Sequence, residues 1–328
     1  DFWHKHHPKG EQRTIEQVVE EFLSPKTMGR RGNKPIKRRE ATVETLRKRL
    51  SHFTPVFADH QAHEITQHDI EQWLDVNRWG GINRRHYLAS VRALFRFAMR
   101  KNYVAMNPAA EIETPDVETA EPVIMTASDV EKYLNAMLTA SQVTVNKATG
   151  VKYENDCVDL LPRESIAFFC GLRPEELSRL DWRNVSLDNK LITVSGDVAK
   201  VQGHRRNVEM PDNLIQWLAP YAKASGPVWP YKSPTTLVRK RKRAREAAGV
   251  EVPDNAGRHA FASYHLAANE NAPATAEAMG HSDIKLLRNT YRNITASDGR
   301  PITKAAGEKY FKIVPKRKGN VIQMSKIA

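Results

Sequence analysis

The sequence predicts a mostly α-helical protein of two domains, a helical N-terminal domain and an α+β C-terminal domain with a small antiparallel sheet. Apolar residues recur at helical spacing through most of the 328-residue chain. Two short segments, residues 191–194 and 206–210, instead predict strands on either side of a turn. No alternation of strands with helices is visible, so a parallel nucleotide-binding sheet is not expected.

The N-terminal domain, residues 14–110, is predicted to contain four helices. Thr14 and Thr66 each precede a helical pattern and can serve as N-caps, the second in a capping box with Asp69. A basic segment rich in glycine and proline, residues 25–35, predicts a loop. The helices are expected at residues 14–24, 40–53, 66–79 and 83–101.

Residues 111–127 predict a linker between the domains, because they hold two prolines and no amphipathic period. The C-terminal domain is then expected to span residues 128–315, and a basic tail, residues 316–328, follows it. Within the domain, helices are predicted at residues 128–140 and 156–169, and again after the hairpin to about residue 311.

The charge balance indicates binding to nucleic acid. The chain has 51 lysines and arginines against 38 acidic residues, a net charge of +13. Ten basic residues lie between positions 26 and 49, and six of the seven residues from 239 to 245 are basic. Such clusters neutralise phosphates, although each alone could be a solvated surface. The expected DNA contacts are Lys37, Arg38, Arg39, Arg84, Arg85, Arg92, Arg239, Lys240, Arg241, Lys242 and Arg243.

Several other classes of protein lack support in the sequence. No apolar run approaches the roughly 20 residues of a membrane span, and no signal peptide is visible. Cys157 and Cys170 have neither disulfide-framework nor zinc-ribbon spacing. The histidines of residues 1–13 lack a second ligand cluster, so a disordered start is predicted there rather than a metal site. We therefore expect a cytoplasmic, nucleoid-associated protein without metal, ATP or membrane.

A set of residues in a fixed order points to phosphodiester chemistry. Arg173 and Glu176 lie one helical turn apart, Arg258 follows, and then come His281 and Tyr291. Two guanidinium groups can hold the non-bridging oxygens of a phosphate. A tyrosine hydroxyl is a poor nucleophile at neutral pH unless its neighbours take its proton or stabilise its anion. The order of these residues therefore predicts that Tyr291 attacks a phosphodiester.

Taken together, these residues resemble those of the tyrosine recombinases, the family of phage integrases and Xer-type site-specific recombinases. The resemblance covers nearly the whole chain, residues 14–311, and implies a helical, SAM-like core-binding domain followed by a catalytic domain. It implies that Arg173, Arg258 and His281 bind the DNA phosphate that Tyr291 attacks. It also implies that Lys200, on the hairpin turn, protonates the leaving 5′ oxygen. Glu176 and His259 are expected in supporting roles.

Two positions depart from the family pattern. Asn255 stands three residues before Arg258, where the family usually has histidine. We keep Asn255 in the catalytic set as a hydrogen-bond donor, but an amide does not take a proton at neutral pH. Activation of the tyrosine is then expected to rely on the phosphate or on water. Tyr291 lies ten residues after His281, where nine is usual, and the loop of residues 282–287 is expected to absorb the difference.

The resemblance also implies an assembly. A 3′-phosphotyrosyl link conserves the energy of the phosphodiester, so no cofactor is expected. The implied partners are double-stranded DNA, a homotetramer on two duplexes, and accessory DNA-bending or directionality factors, with a mobile element or phage as the DNA integrated or excised. An apolar segment, residues 302–313, is expected to pack into a neighbouring protomer. A type IB topoisomerase-like enzyme, a non-catalytic DNA-binding relative and a helical transcription factor remain as alternatives.

Overall fold

The computed structural model describes residues 12–27, 29–31, 34–117, 121–145, 152–195, 205–280, 284, 287, 291 and 295–316. They belong to two compact units that divide between positions 120 and 121. The fold is mostly helical with small antiparallel sheets, which confirms the predicted fold class. Lys200, His281, the N-terminal histidines and the tail from residue 317 fall outside the described residues.

The first unit is built from helices and one short hairpin. Its described elements are α1 (Ile15–Leu23), β1 (Gly29–Arg31), β2 (Lys34–Ile36), α2 (Glu40–Leu50), α3 (Thr54–Phe57), α4 (Gln67–Val76) and α5 (Gly81–Arg100). Thr14 begins α1 through a capping box with Gln17, and Thr66 begins α4 through one with Asp69. Both caps agree with the sequence, which therefore located these two helix starts correctly.

Two predictions for this unit need correction. The predicted loop of residues 25–35 contains the antiparallel pair β1 and β2, with Arg30 opposite Pro35. A two-stranded ribbon leaves one edge of each strand unpaired, so a proline is tolerated there. The unit also has a fifth helix, α3, which starts with a proline in its first turn. Four residues are too few to show a period in the sequence.

A cluster of aromatic and aliphatic side chains forms the core of the first unit. Phe53 packs edge-on against Trp73 and lies near Phe95, with ring centroids 5.1 and 6.3 Å apart. All three side chains are buried. Burying such rings contributes about 1.5–3 kcal/mol each, so they account for much of the stability of a small helical unit.

The second unit combines eight helices with two small antiparallel sheets in its described part. Its elements are α6 (Ala127–Ala136), β3 (Ser141–Val145), β4 (Lys152–Asp156), α7 (Leu161–Cys170), α8 (Pro174–Arg179), β5 (Val185–Ser186), β6 (Leu191–Val194), β7 (Arg206–Glu209), α9 (Asp212–Leu218), α10 (Pro234–Ala248), α11 (Ala256–Asn269), α12 (Ala272–Met279) and α13 (Lys304–Tyr310). No described helix of the chain is both long and apolar enough to cross a membrane. Cys157 and Cys170 are buried free thiols.

The long helix predicted at residues 156–169 begins five residues later. Strand β4 occupies the chain up to Asp156, and a 3₁₀ turn, Val158–Leu160, leads into α7. Pro162 lies in the first turn of α7, where its missing N–H is not needed. The hairpin of β3 and β4 was not predicted from the sequence.

Strands β5, β6 and β7 form one antiparallel sheet in that order. The hairpin predicted at residues 191–194 and 206–210 is confirmed, with Ile192 opposite Val208 and Val194 opposite Arg206. Because side chains alternate across a strand, Arg206 and the buried Val208 share one face of β7. The arginine is thus directed to the interior side of the sheet.

Helix α11 lies at the centre of the second unit, against α7 and α13. A Cβ on Gly257 would come within 2.9 Å of the Ala167 carbonyl carbon, so a glycine is needed for this close approach of α11 to α7. A Cβ on Gly307 would come within 2.7 Å of the Ala268 nitrogen, and α13 crosses α11 at that point.

The segment of residues 302–313, which the sequence predicts to pack into a neighbouring protomer, packs against its own chain in this single-chain structure. Tyr310 is buried in its own chain, stacks on Tyr264 at 4.2 Å, and donates a 2.7 Å hydrogen bond to the Phe168 carbonyl. The carbonyl of Ile313 accepts hydrogen bonds of 3.0 Å from Asn213 and Trp217. The apolar pattern of this segment belongs to the intramolecular core, because its apolar side chains find their partners there.

Candidate active site

The site begins at the junction of α7 and α8. Gly171 ends α7 in the left-handed conformation, with φ of 62°. Arg173 is then the N-cap of α8, and its backbone N–H donates a 2.9 Å hydrogen bond to the Glu176 carboxylate. The Arg173 guanidinium donates a second bond, of 3.1 Å, to the same group. Arg173 and Glu176 are therefore fixed relative to each other by the start of one helix.

Arg206 is a member of this site that the sequence did not reveal. Its two terminal nitrogens donate hydrogen bonds of 3.0 and 2.8 Å to the two oxygens of Glu176, whose side chain is 0% exposed. Burial opposes ionisation of Glu176, but the bonds from Arg206 and Arg173 outweigh it and lower the pKa of the carboxyl group. Strand alternation was the available signal, because it places Arg206 on the same face as Val208.

Three arginines bind three successive carbonyls at the end of α12. Arg206 Nε donates to Ala278 at 3.1 Å, Arg258 Nη2 to Met279 at 3.0 Å, and Arg173 Nη2 to Gly280 at 2.6 Å. The last carbonyls of a helix lack partners within the helix and carry partial negative charge, so cations stabilise them. The residue that follows Gly280 is His281, so this cluster fixes the backbone from which His281 departs.

Gly280 is required at this point for two separate reasons. Its φ of 64° is in the left-handed region, and a Cβ there would lie 2.9 Å from Arg206 Nη1 and 3.1 Å from Arg173 Nη1. A side chain would therefore crowd the nitrogens through which Arg206 and Arg173 bind Glu176.

Arg258 is the third cation of the cluster and is partly buried. It lies in the first turn of α11 and also donates a 2.5 Å hydrogen bond to the Gly171 carbonyl. Burial lowers the pKa of Arg258 to about 10, and the neighbouring charge of Arg173 adds to the shift. The group remains protonated at neutral pH, so two cations lie side by side where an anion would relieve their repulsion.

The side chain of Tyr291 contacts His259, the residue that follows Arg258 on α11. His259 Nδ1 lies 2.6 Å from the Tyr291 hydroxyl oxygen, and both side chains are largely buried. Burial raises the pKa of Tyr291, and the charge of Arg258 opposes that rise. Burial, and then Arg258, lowers the pKa of His259. The imidazole is therefore neutral at physiological pH and can accept the phenolic proton.

Asn255 occupies a different environment from the rest of the predicted set. It is the exposed N-cap of α11, with φ of 56°, and its side chain makes no capping hydrogen bond. Asparagine is among the few residues that adopt a positive φ readily. The structure thus brings together Arg173, Glu176, Arg258, His259 and Tyr291, and it leaves Asn255 at the surface.

Some of the predicted DNA contacts in the first unit are exposed, and others bind groups of the protein itself. Lys37 and Arg39 are exposed, and Arg84 pairs with Asp75 at 2.6 Å. Arg38 donates to the Phe22 carbonyl at 2.6 Å and covers the ring of that residue.

Arg85 and Arg92 bind the chain itself. Arg85 donates to the Pro115 carbonyl at 2.8 Å. Arg92 donates to the Ala109 carbonyl at 2.8 Å, to Thr114 Oγ1 at 2.7 Å, and to the carbonyl of Ile112. These two side chains hold the first part of the predicted linker against α5. Their guanidinium groups therefore stabilise the fold of the first unit.

The basic segment of α10 also divides. Arg239 and Lys242 are exposed, whereas Lys240 is 4% exposed and donates to the Asp156 carbonyl at 2.5 Å and to Asp159 at 2.8 Å. The expectation that Lys240 contacts DNA is therefore corrected, because its ammonium group is enclosed by protein. Arg241 is partly buried, and Arg243 is intermediate in exposure.

Arg241 belongs to a buried ion cluster beside α7. It shares Glu164 with Arg163, at 2.8 and 2.5 Å. Arg163 and Glu164 are each 2% exposed. Through this ion pair Arg241 connects α10 to α7. The expectation that Arg241 contacts DNA is therefore corrected.

Metal binding finds no support in the part of the chain that the structure covers. Among the described residues, no group of three or more histidine, cysteine, aspartate or glutamate side chains is arranged to hold a metal ion.

The sequence matches a model of the phage integrase family over residues 124–298, a little over half of the chain. The chain belongs to this family, and the predicted resemblance is confirmed. The match includes Arg173, Glu176, Arg206, Arg258, His259 and Tyr291, the residues that the structure brings together.

Known relatives are tyrosine recombinases. XerD of Pseudomonas putida is 25% identical over 215 residues, covering 60% of this chain and 66% of the relative. XerD of Staphylococcus aureus is 23% identical over 231 residues, covering 65% and 72%. This chain thus spans about two thirds of the length of the curated relatives that it matches. The expected class, a tyrosine recombinase, is confirmed at the level of the family.

Solved structures of integrases share the fold. A lambda integrase dimer bound to a COC′ core site has a TM-score of 0.63 at 14% identity, covering 88% of this chain and 79% of that chain. A lambda integrase tetramer bound to a Holliday junction has a TM-score of 0.64 at 13% identity, covering 87% and 80%. The Tn1549 transposon integrase in complex with transposon right end DNA has a TM-score of 0.59 at 19% identity, covering 86% and 96%.

Proposed function

We propose that this protein is a site-specific DNA recombinase that cuts and rejoins DNA through a 3′-phosphotyrosyl intermediate, with Tyr291 as the nucleophile. The observation that carries the proposal is the position of two neighbours on α11. Arg258 belongs to the arginine cluster, and the next residue, His259, contacts the Tyr291 hydroxyl at 2.6 Å. A phosphate bound by the cluster would lie beside the nucleophile.

The cluster supplies what the reaction demands electrostatically. Negative charge accumulates on the non-bridging oxygens during attack, and preorganised cations stabilise it without further reorganisation. Arg173 and Arg258 are held by helix termini and backbone carbonyls, so their positions are set before DNA binds. Each guanidinium group has five N–H donors, and the two carbonyl bonds of Arg258 use only two of them.

The remaining roles are those implied by the resemblance to the tyrosine recombinases. Lys200 is the proposed general acid for the 5′ oxygen, and His281 is the proposed hydrogen-bond donor to the phosphate. Lys200 precedes β7, whose first residue, Arg206, belongs to the cluster. His281 follows Gly280, whose carbonyl Arg173 binds.

The proposed substrate is double-stranded DNA, and the proposed assembly is a tetramer on two duplexes that integrates or excises a mobile element. The net charge of +13 and the exposed cations Lys37, Arg39, Arg239 and Lys242 support DNA as the partner. Action in the cytoplasm and help from accessory factors remain predictions. A non-catalytic DNA-binding relative is the competing proposal, and the observation that favours it is the exposed Asn255 in place of the usual histidine.

The test is covalent capture. The protein is incubated, without metal or ATP, with nicked duplexes from the DNA that flanks its gene, and the products are separated under denaturing conditions. We expect a protein–DNA adduct that Tyr291→Phe abolishes while binding in a gel-shift assay is retained. Binding by the wild-type protein without any adduct would establish the non-catalytic alternative. Relaxation of supercoiled plasmids without a specific site would instead indicate a topoisomerase-like activity.

A further inference from the structure

The described contacts of Tyr291 suggest where its proton goes. The sequence pattern leaves this open, because Asn255 stands where a histidine is usual and an amide does not take a proton at neutral pH. The structure places Asn255 at the surface, and it places a histidine from another position, His259, against the phenol.

We propose that His259 is the general base of DNA cleavage, with Nδ1 accepting the proton of Tyr291 as the hydroxyl oxygen attacks. This assignment rests on the proposed recombinase function. The distance of 2.6 Å between Nδ1 and the hydroxyl oxygen is within the range for direct proton transfer. Nδ1 can accept only if the ring carries its proton on Nε2, so the geometry requires that tautomer.

The electrostatic surroundings suit this role. Arg258 is the charged group that acts on the His259 imidazole, and together with burial it keeps the imidazole neutral in the free protein. Arg258 in turn faces Arg173, Glu176, Arg206 and Tyr291. An imidazolium beside this excess of cations is unfavourable until a phosphate arrives. Bound DNA brings a negative charge to the cluster, so the base becomes stronger when its substrate is in place.

The proposed step conserves atoms and charge. The O–H bond of Tyr291 breaks as the bond from its oxygen to phosphorus forms, and the proton passes to His259. The bond from phosphorus to the 5′ oxygen breaks, and that oxygen takes a proton from the general acid, for which Lys200 is the candidate. In the resealing step the 5′ hydroxyl returns its proton to the deprotonated general acid as its oxygen attacks phosphorus. The bond from phosphorus to the Tyr291 oxygen breaks, and the imidazolium returns its proton to Tyr291. No external base or cofactor is consumed in the cycle.

A structural role for His259 is the competing interpretation, and a conservative substitution separates the two. Asparagine places its side-chain oxygen close to the position of Nδ1, so His259→Asn keeps a hydrogen-bond acceptor for the tyrosine but removes the proton acceptor. His265→Asn is the matched control. It changes a histidine on the same helix whose Nδ1 lies 2.8 Å from Thr275 Oγ1, away from the arginine cluster.

The experiment measures single-turnover cleavage of a nicked duplex from the DNA flanking the gene, across a range of pH. We expect the wild-type rate to fall in acid, where the imidazole is protonated, and to reach a plateau above neutrality. We expect His259→Asn to be slower by about 10²–10⁴-fold at neutral pH and to gain about tenfold per pH unit, since it then depends on the rare phenolate. Imidazole added to His259→Ala should restore part of the rate, and His265→Asn should keep the wild-type profile.

The possible outcomes are distinct. If His259→Asn cleaves at the wild-type rate, or is slow with an unchanged pH profile and no rescue of His259→Ala by imidazole, the base assignment is wrong. The recombinase function would survive that result, because the wild-type adduct would still form. If the wild-type protein binds the duplex and forms no adduct, the proposed function fails and the base assignment fails with it.

Discussion

Arg206 holds Glu176 by both carboxylate oxygens while a third nitrogen of the same guanidinium binds the Ala278 carbonyl. One side chain thereby connects the central sheet, the start of α8 and the end of α12. These bonds fix the orientation of the buried carboxylate. The same carboxylate accepts a hydrogen bond from Arg173, so it also fixes the position of the Arg173 guanidinium.

Replacement of Arg206 by lysine should therefore disturb both the fold and the active site to which Arg206 belongs. Lysine keeps the charge but cannot bind two carboxylate oxygens and a carbonyl in one plane. We expect Arg206→Lys to lower the free energy of unfolding by about 1–3 kcal/mol, the usual effect of leaving a buried polar group unsatisfied. Urea denaturation measures this loss. Arg205→Lys, at an exposed neighbouring position, should stay within about 0.5 kcal/mol of wild type, and equal stability of the two variants would refute the prediction.

Gly280→Ala should be more damaging than its backbone conformation alone explains. Gly249 provides the control, because it has nearly the same φ, 62°, and an added Cβ would meet nothing within 4 Å, whereas a Cβ on Gly280 would crowd two arginines. We expect Gly249→Ala to lose about 1–2 kcal/mol of stability from the left-handed backbone. Gly280→Ala should lose more and should also reduce DNA cleavage. Cleavage by Gly280→Ala at the rate of Gly249→Ala would contradict the crowding argument.

Arg92→Ala should release the segment of residues 109–114 from α5. Three hydrogen bonds to this segment disappear, each worth about 1 kcal/mol. Glu111 and Glu113 are exposed in the segment, so a glutamate-specific protease reports its local opening. We expect cutting at these sites to accelerate at least about tenfold. Arg96→Ala, one turn along the same helix at an exposed position, should be cut at the wild-type rate. If Arg92→Ala is also cut at the wild-type rate, the three hydrogen bonds of Arg92 do not hold the segment closed.

Substitution by alanine should affect DNA binding at Lys242 and stability of the fold at Lys240. Lys242 is exposed, so its loss should reduce the slope of log affinity for DNA against log salt by about 0.9. Lys240 is paired with the partly buried Asp159, so its loss should destabilise the fold and leave that slope unchanged. Gel-shift titrations at several salt concentrations measure the slope, and thermal melting measures the stability. A reduced slope for Lys240→Ala would restore it as a DNA contact.

Local signals in the sequence were sufficient for the helix starts and for the central hairpin. Thr14 and Thr66 cap helices because side chain and backbone interact within four residues, which a sequence displays directly. The hairpin of β6 and β7 follows from alternation around a turn. The hairpins β1–β2 and β3–β4 were missed because backbone pairing leaves little mark on composition.

Charge type in the sequence did not distinguish contacts with DNA from contacts within the protein. Lys240 lies in a run of basic residues, yet its partners are 81 and 84 positions away in the chain. Arg206 and His259 were visible as residues, but the partners that define their roles lie 30 and 32 positions away. Roles that depend on such distant partners emerge only when the chain is folded.

The burial of Tyr310 and Ile313 has a consequence for genetics at this locus. A premature stop codon shortly after the codon of Tyr291 would leave every described residue of the arginine cluster encoded. The product would still lack the ring that stacks on Tyr264 and the carbonyl that satisfies Asn213 and Trp217. Such a truncated protein would expose apolar surface and unpaired donors, and the cell would remove it by proteolysis. Nonsense alleles that fall after the codon of Ile313 and those just after the codon of Tyr291 should therefore differ in protein abundance, which immunoblotting would reveal.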